Sequence, residues 1–255
     1  MFTSNPFAEL SASIPPIVMQ AYIVVIIILV AGGTLFDIVH KKSATYFFNN
    51  WRNAKDKGTQ QVSDGEMVSL AIQTAVVEGL TSAEFCSARR RIAHLLTMYG
   101  FLAYVLTSFI MVFWYPTPAT PAPAILPLLW YLGALMVCGG GYWFWFFIRA
   151  DVAAEGHSPF RIVRADLFIL SLLASATLGL IWAIAGTSLF LGLYLIATTV
   201  LFGSVPWSKF SHMFFKPAAA FQKRVENANG SRSNLPAPAD KPEIFGSARQ
   251  LPRHY

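Results

Sequence analysis

Residues 89–115 read RRRIAHLLTMYGFLAYVLTSFIMVFWY. Three arginines lead into an apolar run that carries one histidine, His94, and closes on the aromatic pair Trp114-Tyr115. A helix rises ~1.5 Å per residue, so ~20 apolar residues cross the hydrocarbon core of a bilayer. The run from about 92 to 115 therefore predicts a membrane span, with a cytoplasmic cationic end and an outer aromatic end.

Four further stretches read the same way: 17–39, about 124–148, about 165–185, and a fifth from 188 to 204. The first is entered through Pro15-Pro16, which suits a first helical turn. The fourth and fifth are separated only by Gly186-Thr187-Ser188 and are expected to form a hairpin. The fifth is expected to continue to Phe215, because VPWSKFSHMFF is still aromatic-rich, with a kink at Pro206. Composition agrees with this reading. Of 255 residues, 55% are hydrophobic and only 13% are charged, against ~25% charged in an ordinary soluble domain. These values exclude a disordered chain, a disulfide scaffold and a typical cytosolic enzyme. Residues 1–20 contain no Lys or Arg, so the first span reads as retained rather than as a signal peptide.

Charge sets the orientation. With the N-terminus outside, residues 40–91, 149–164 and 209–255 face the cytoplasm and hold eight, three and eight Lys/Arg, all 19 in the chain. The expected fold is thus an all-α integral membrane bundle of five helices, N-out and C-in. Residues 1–16 form a periplasmic N-terminus, 17–216 the membrane domain, and 217–255 a cytoplasmic, mostly disordered tail rich in Pro, Ala, Asn and Ser. The net charge of +6 then needs no nucleic acid to explain it. Within the 40–91 loop, residues 41–61 read as polar loop. Ser63 and Glu66 have capping-box spacing ahead of an apolar stripe of Met67, Leu70, Ala71, Val77 and Leu80. This predicts an amphipathic cytoplasmic helix, on the membrane or under a partner. Cys86 and Cys138 fall on different levels and read as free thiols.

Five histidines, His40, His94, His157, His212 and His254, all fall on the cytoplasmic side, and His94 and His212 lie inside the ends of spans two and five. An ionisable group within a span is costly and points to function. Two imidazoles from two helices can supply both axial ligands of one haem b, and the covalent C-x-x-C-H signature is absent. Arg90 and Arg91 precede His94 by four and three residues, while Lys209 and Lys216 lie three before and four after His212. On a helix these offsets share the ligand's face and suit haem propionates; ordinary positive-inside charge is the competing reading. Asp37 is the one acid well within an apolar run. It either snorkels at the helix end, pairs with a cation or passes protons to a quinone.

The segments RRRIAHLLTMYGF, RIVRADLFILSLLASATLGL and LFGSVPWSKFSHMFFKP resemble the five-helix cytochrome b (gamma) subunit of respiratory nitrate reductase and the membrane subunits of heterodisulfide-reductase-type complexes. The start of span two is most similar to the membrane domain of the quinone-interacting membrane-bound oxidoreductase complex and to the membrane anchor associated with adenylylsulfate reductase. The resemblance covers about residues 85–217. It implies haem ligation by one histidine from span two and one from span five, which here are His94 and His212. The family's second pair would fall at Tyr104 and Tyr194, so the resemblance implies a one-haem version, with His40 and His157 as the remaining candidates should a second haem exist. Tyr104 and Tyr194 either line a quinone pocket or pack the space of the missing haem.

The function these readings imply is a non-catalytic electron-transfer subunit in a bacterial inner membrane. It would link a cytoplasmic iron–sulfur or flavin enzyme, adenylylsulfate reductase by resemblance, to membrane quinone. The alternatives are a non-redox scaffold for a cytoplasmic partner and a small transporter; against the latter, no paired broken helices and no mid-membrane acid are evident. The topology is directly testable: a reporter at the C-terminus should be cytoplasmic and one in the 116–123 loop external. An external C-terminus would overturn the orientation.

Overall fold

The computed structural model describes residues 2–40, 42–83, 85, 87–149, 160–163, 166–205 and 212–231, with backbone alone at 43 and 212–215. The described residues are helical, without strands. They divide into two compact units: residues 1–37 with 92–211, and residues 38–91 with 212–255. The helices are α1 (Pro6–Glu9), α2 (Pro16–His40), α3 (Ser43–Asp56), α4 (Asp64–Thr74), α5 (Ala88–Trp114), α6 (Ile125–Trp143), α7 (Leu167–Ala185), α8 (Ser188–Gly203) and α9 (His212–Ala228). Wider π turns extend α4 over Ala75–Leu80 and α6 over Phe144–Ile148.

Among the described residues, four helices are long and apolar enough to cross a membrane: α2, α5, α6 with its π turn, and α7. The fifth expected span differs. α8 has 16 residues, or ~24 Å of helix, and ends at Gly203 with Ser204 as its C-cap. Residues 206–211 lie outside the described residues, and a separate helix, α9, starts at His212.

In the first unit α7 and α8 form the expected hairpin. Gly186 closes α7 in the left-handed region (φ 66°), its N–H donating to Trp182 O at 2.8 Å. Glycines let α5 and α6 meet backbone to backbone. A Cβ at Gly100 would stand 2.7 Å from Gly133 O, and one at Gly140 would stand 2.6 Å from Ala93 O. α2 is the least buried span, at 11% of its most apolar stretch. Two polar hooks hold it. Gln20 Nε2 donates to Val112 O (3.2 Å), and Tyr22 Oη donates to Leu195 O (3.0 Å). Where α6 ends and α7 begins, Arg149 and Asp166 form an ion pair whose side chains are 7% and 12% exposed. Arg149 also donates to Arg161 O and lies over the Trp145 ring, and Val163 N donates to Asp166 Oδ2. The pair ties both edges of the connection between α6 and α7.

The second unit corrects two expectations. Residues 41–61 are not a plain loop, because α3 occupies 43–56. The tail is not irregular from 217 onward, because α9 runs to Ala228. Each helix owes its order to the other. Phe47, Trp51 and Ala54 make an i, i+4, i+7 row; Trp51 stacks on Phe221 of α9 (5.8 Å between centroids), and Ala54 O accepts from Asn229 Nδ2 (3.1 Å). Few apolar residues are involved, so composition hid the pairing. α9 also packs along α4, where Arg224 bonds Glu78 Oε1 (3.0 Å) and Gln73 Oε1 (3.2 Å). α4 is capped as its sequence predicts, with Ser63 Oγ accepting from Glu66 N at 3.3 Å.

The buried ion pair yields a stability test. Asp166→Ala strands a buried guanidinium and should cost ~3 kcal/mol, whereas Arg149→Met with Asp166→Leu should recover most of that loss. Thermal unfolding in detergent measures both. An Asp166→Ala chain as stable as the parent would show that the pair carries no weight.

Candidate functional site

α5 presents two faces that matter for the site. Ala93, Gly100, Tyr104 and Thr107 are buried, and Ala93, Thr97, Gly100 and Tyr104 lie at the close approach to α6. His94 is one residue off that row and half-buried. Its own row, at i+4 and i+7, continues through Met98 to Phe101. Phe101 is buried and meets Phe202 of α8 with ring centroids 6.2 Å apart. The His94 face of α5 is therefore the face turned towards the C-terminal end of α8.

His212 is the first residue of α9 and belongs to the second unit, whereas His94 belongs to the first. The side chain of His212 and the whole of Lys209 lie outside the described residues, as does His157. Three of the four basic residues assigned to haem propionates are described. Arg90 is half-buried. Arg91 donates from Nε to Thr81 O at 2.8 Å. Lys216 holds its ammonium 5.3 Å from the Phe85 ring centre. Among the described residues no group of three or more His, Cys, Asp or Glu is placed to hold a metal ion; haem asks for two axial imidazoles only.

The structure does bring Tyr104 and Tyr194 together. Both are 5% exposed, and Tyr104 Oη donates to Ser175 O at 3.5 Å. Tyr194 stacks on Trp182 (5.6 Å, 7° between planes), and Tyr104 lies 5.2 Å from Trp130. A Cβ on Gly179 would come within 2.6 Å of Tyr104 Oη and 3.3 Å of the Tyr194 ring. Ser175 and Thr198 bond each other beside them at 2.8 Å, and Trp130 Nε1 donates to Ser108 Oγ at 2.8 Å. Rings and hydroxyls thus fill the space between α5, α7 and α8. The packing reading fits this geometry, and the quinone-pocket reading does not gain from it. A shallow pocket lies elsewhere, lined by Phe7, Leu10, Ile14, Met19, Val112 and Pro116. Asp37 is 2% exposed near the end of α2.

Sequence reasoning missed the partners of the tyrosines and the Arg149–Asp166 pair. A signal existed for the pair: an acid and an arginine bracket the same short connection between two spans. None existed for Trp182, Ser108, Ser175 and Thr198, which read as ordinary span residues.

Comparison with known proteins finds no matching family model, no similar curated protein and no similar solved structure. The functional reading therefore rests on the residues of this chain.

The tyrosine cluster predicts a graded response. Tyr104→Phe removes one hydroxyl and should cost ~1 kcal/mol, whereas Tyr104→Ala opens a cavity and should cost ~3–5 kcal/mol. Thermal unfolding in detergent separates them. Equal, negligible losses would mean that this region is not the packed core described above.

Proposed function

We propose that the chain is the membrane-anchored electron-transfer subunit of a quinone-linked oxidoreductase, carrying one haem b between His94 and His212. The observation that carries this reading is His94 itself, an ionisable side chain half-buried inside the end of a span. The sequence supplies His212 as the second imidazole. The donor chemistry fits. A half-buried neutral imidazole at the end of a span is a suitable iron ligand, and a second one saturates the iron. Arg90 and Arg91 are one helical turn from His94 and have the charge and reach that propionates need. Bound in this way, the haem would supply one-electron redox chemistry, and the residues around it hold, orient and charge-balance it.

In this reading α8 serves as the fifth, short span, with the N-terminus outside and all 19 Lys/Arg on the inner side of a bacterial cytoplasmic membrane. The cytoplasmic partner is an iron–sulfur or flavin enzyme, with adenylylsulfate reductase the one the sequence resemblance implies. Its electrons exchange with membrane quinone. The packed tyrosines give no support to a quinone site at Tyr104 and Tyr194. One observation favours a non-redox scaffold instead: Arg91 and Lys216 are already engaged by Thr81 and Phe85.

The visible spectrum of the purified chain decides between the two. A low-spin b-type spectrum at one haem per chain is expected, lost in His94→Ala and in His212→Ala and kept in His40→Ala and His157→Ala. A haem-free parent protein would leave the scaffold. Two haems per chain would refute the one-haem form.

A further inference from the structure

The expected apolar stripe of the 63–80 helix divides: Ala71 and Leu80 are exposed, and the rest turns inward. Met67, Leu70 and Val77 are half-buried and Thr74 is buried, on the side that packs against α9. The exposed apolar row is Val68 (60% exposed), Ile72 (60%), Val76 (44%) and Leu80 (55%). Residues four apart form a row that drifts around an α-helix. The π turn over Ala75–Leu80 has more residues per turn and counters that drift, keeping Leu80 in line with Val76. A continuous apolar ridge ~18 Å long results.

The second unit itself indicates what covers this ridge. Its inner end is fastened to a membrane span, because Arg91, in the first turn of α5, donates to the carbonyl of Thr81, the residue next to Leu80. α3 likewise begins at Ser43, only two residues intervening after α2, with Lys42 in the left-handed region (φ 52°). The ends of α3 and α4 nearest the spans carry exposed Tyr46, Val76 and Leu80, and the exposed cations Lys42 and Arg89 mark the two junctions. The exposed acids Asp56, Asp64 and Glu66 lie at the opposite ends, among the exposed cations Arg52, Lys55 and Lys57, and Glu78 is paired with Arg224. Apolar and aromatic side chains beside the spans, with exposed cations and no exposed acid among the described junction residues, match a phospholipid interface with anionic headgroups.

We infer that the Val68–Ile72–Val76–Leu80 ridge lies in the headgroup–acyl boundary of the leaflet where α2 ends and α5 begins, with Leu80 deepest and Val68 shallowest. This requires only that α2 and α5 cross the membrane. It does not depend on haem or on which side is cytoplasmic, so its failure is distinct from failure of the proposed function.

The test uses the full chain with Cys86 and Cys138 replaced by Ala, reconstituted in vesicles of phosphatidylethanolamine and phosphatidylglycerol. Nitroxide labels are placed at Val68→Cys, Ile72→Cys, Val76→Cys and Leu80→Cys, with Lys55→Cys and Lys223→Cys as exposed references. The ratio of collision with oxygen to collision with a water-soluble nickel chelate should rise severalfold from the references to Leu80→Cys, and should fall stepwise from Leu80→Cys towards Val68→Cys. Ridge labels as open to nickel as Lys55→Cys would show a ridge in water and overturn the inference. Labels shielded from both colliders would equally overturn it, because a protein surface, a second copy of this chain included, would then cover the ridge.

Discussion

Inside a bilayer there is no water to bond a backbone amide, and each unsatisfied one costs several kcal/mol. The four long spans meet that constraint internally, residue by residue. What remains is how helices adhere when the lipid around them is as apolar as they are. Here the answer is close approach and a few directed hydrogen bonds. Gly100, Gly133 and Gly140 remove the side chains that would hold α5 and α6 apart. Gln20 and Tyr22 then attach the exposed α2 to carbonyls of α5 and α8. Without those hooks, α2 would have little but dispersion to hold it.

The same absence of water governs the polar groups in the first unit. Tyr104 donates to the Ser175 carbonyl and Ser175 bonds Thr198, within a shell of Trp130, Trp182 and Tyr194, because a buried hydroxyl without a partner is expensive. Arg149 and Asp166 do the same with full charges at the boundary, where Trp145 covers the guanidinium. His94 brings a titratable imidazole into the end of a span, on the face of α5 that turns towards α8. That cost is what the haem proposal begins from.

The second unit obeys different rules. Its three helices are short, and two of them carry mixed, largely polar sequences, so each alone would be marginal in water. They are held by mutual contact: Trp51 on Phe221, Asn229 on Ala54, Arg224 on Glu78.

The sequence by itself determined the four long spans and the hairpin between α7 and α8. These follow from local quantities, namely apolar length and a glycine at a helix end, and no distant residue has to be known. It also singled out His94 and His212 by residue type and position. Tertiary structure alone decided that residues 43–56 and 217–228 are helical, that Met67 and Leu70 turn inward while Val68 and Ile72 stay out, and that Tyr104 and Tyr194 fill a shared space. Each of these depends on a partner far along the chain: α9 for α3 and α4, and another span for the tyrosines. A helix of modest intrinsic stability takes its order from what it packs against, and that partner is invisible to any reading of a local window.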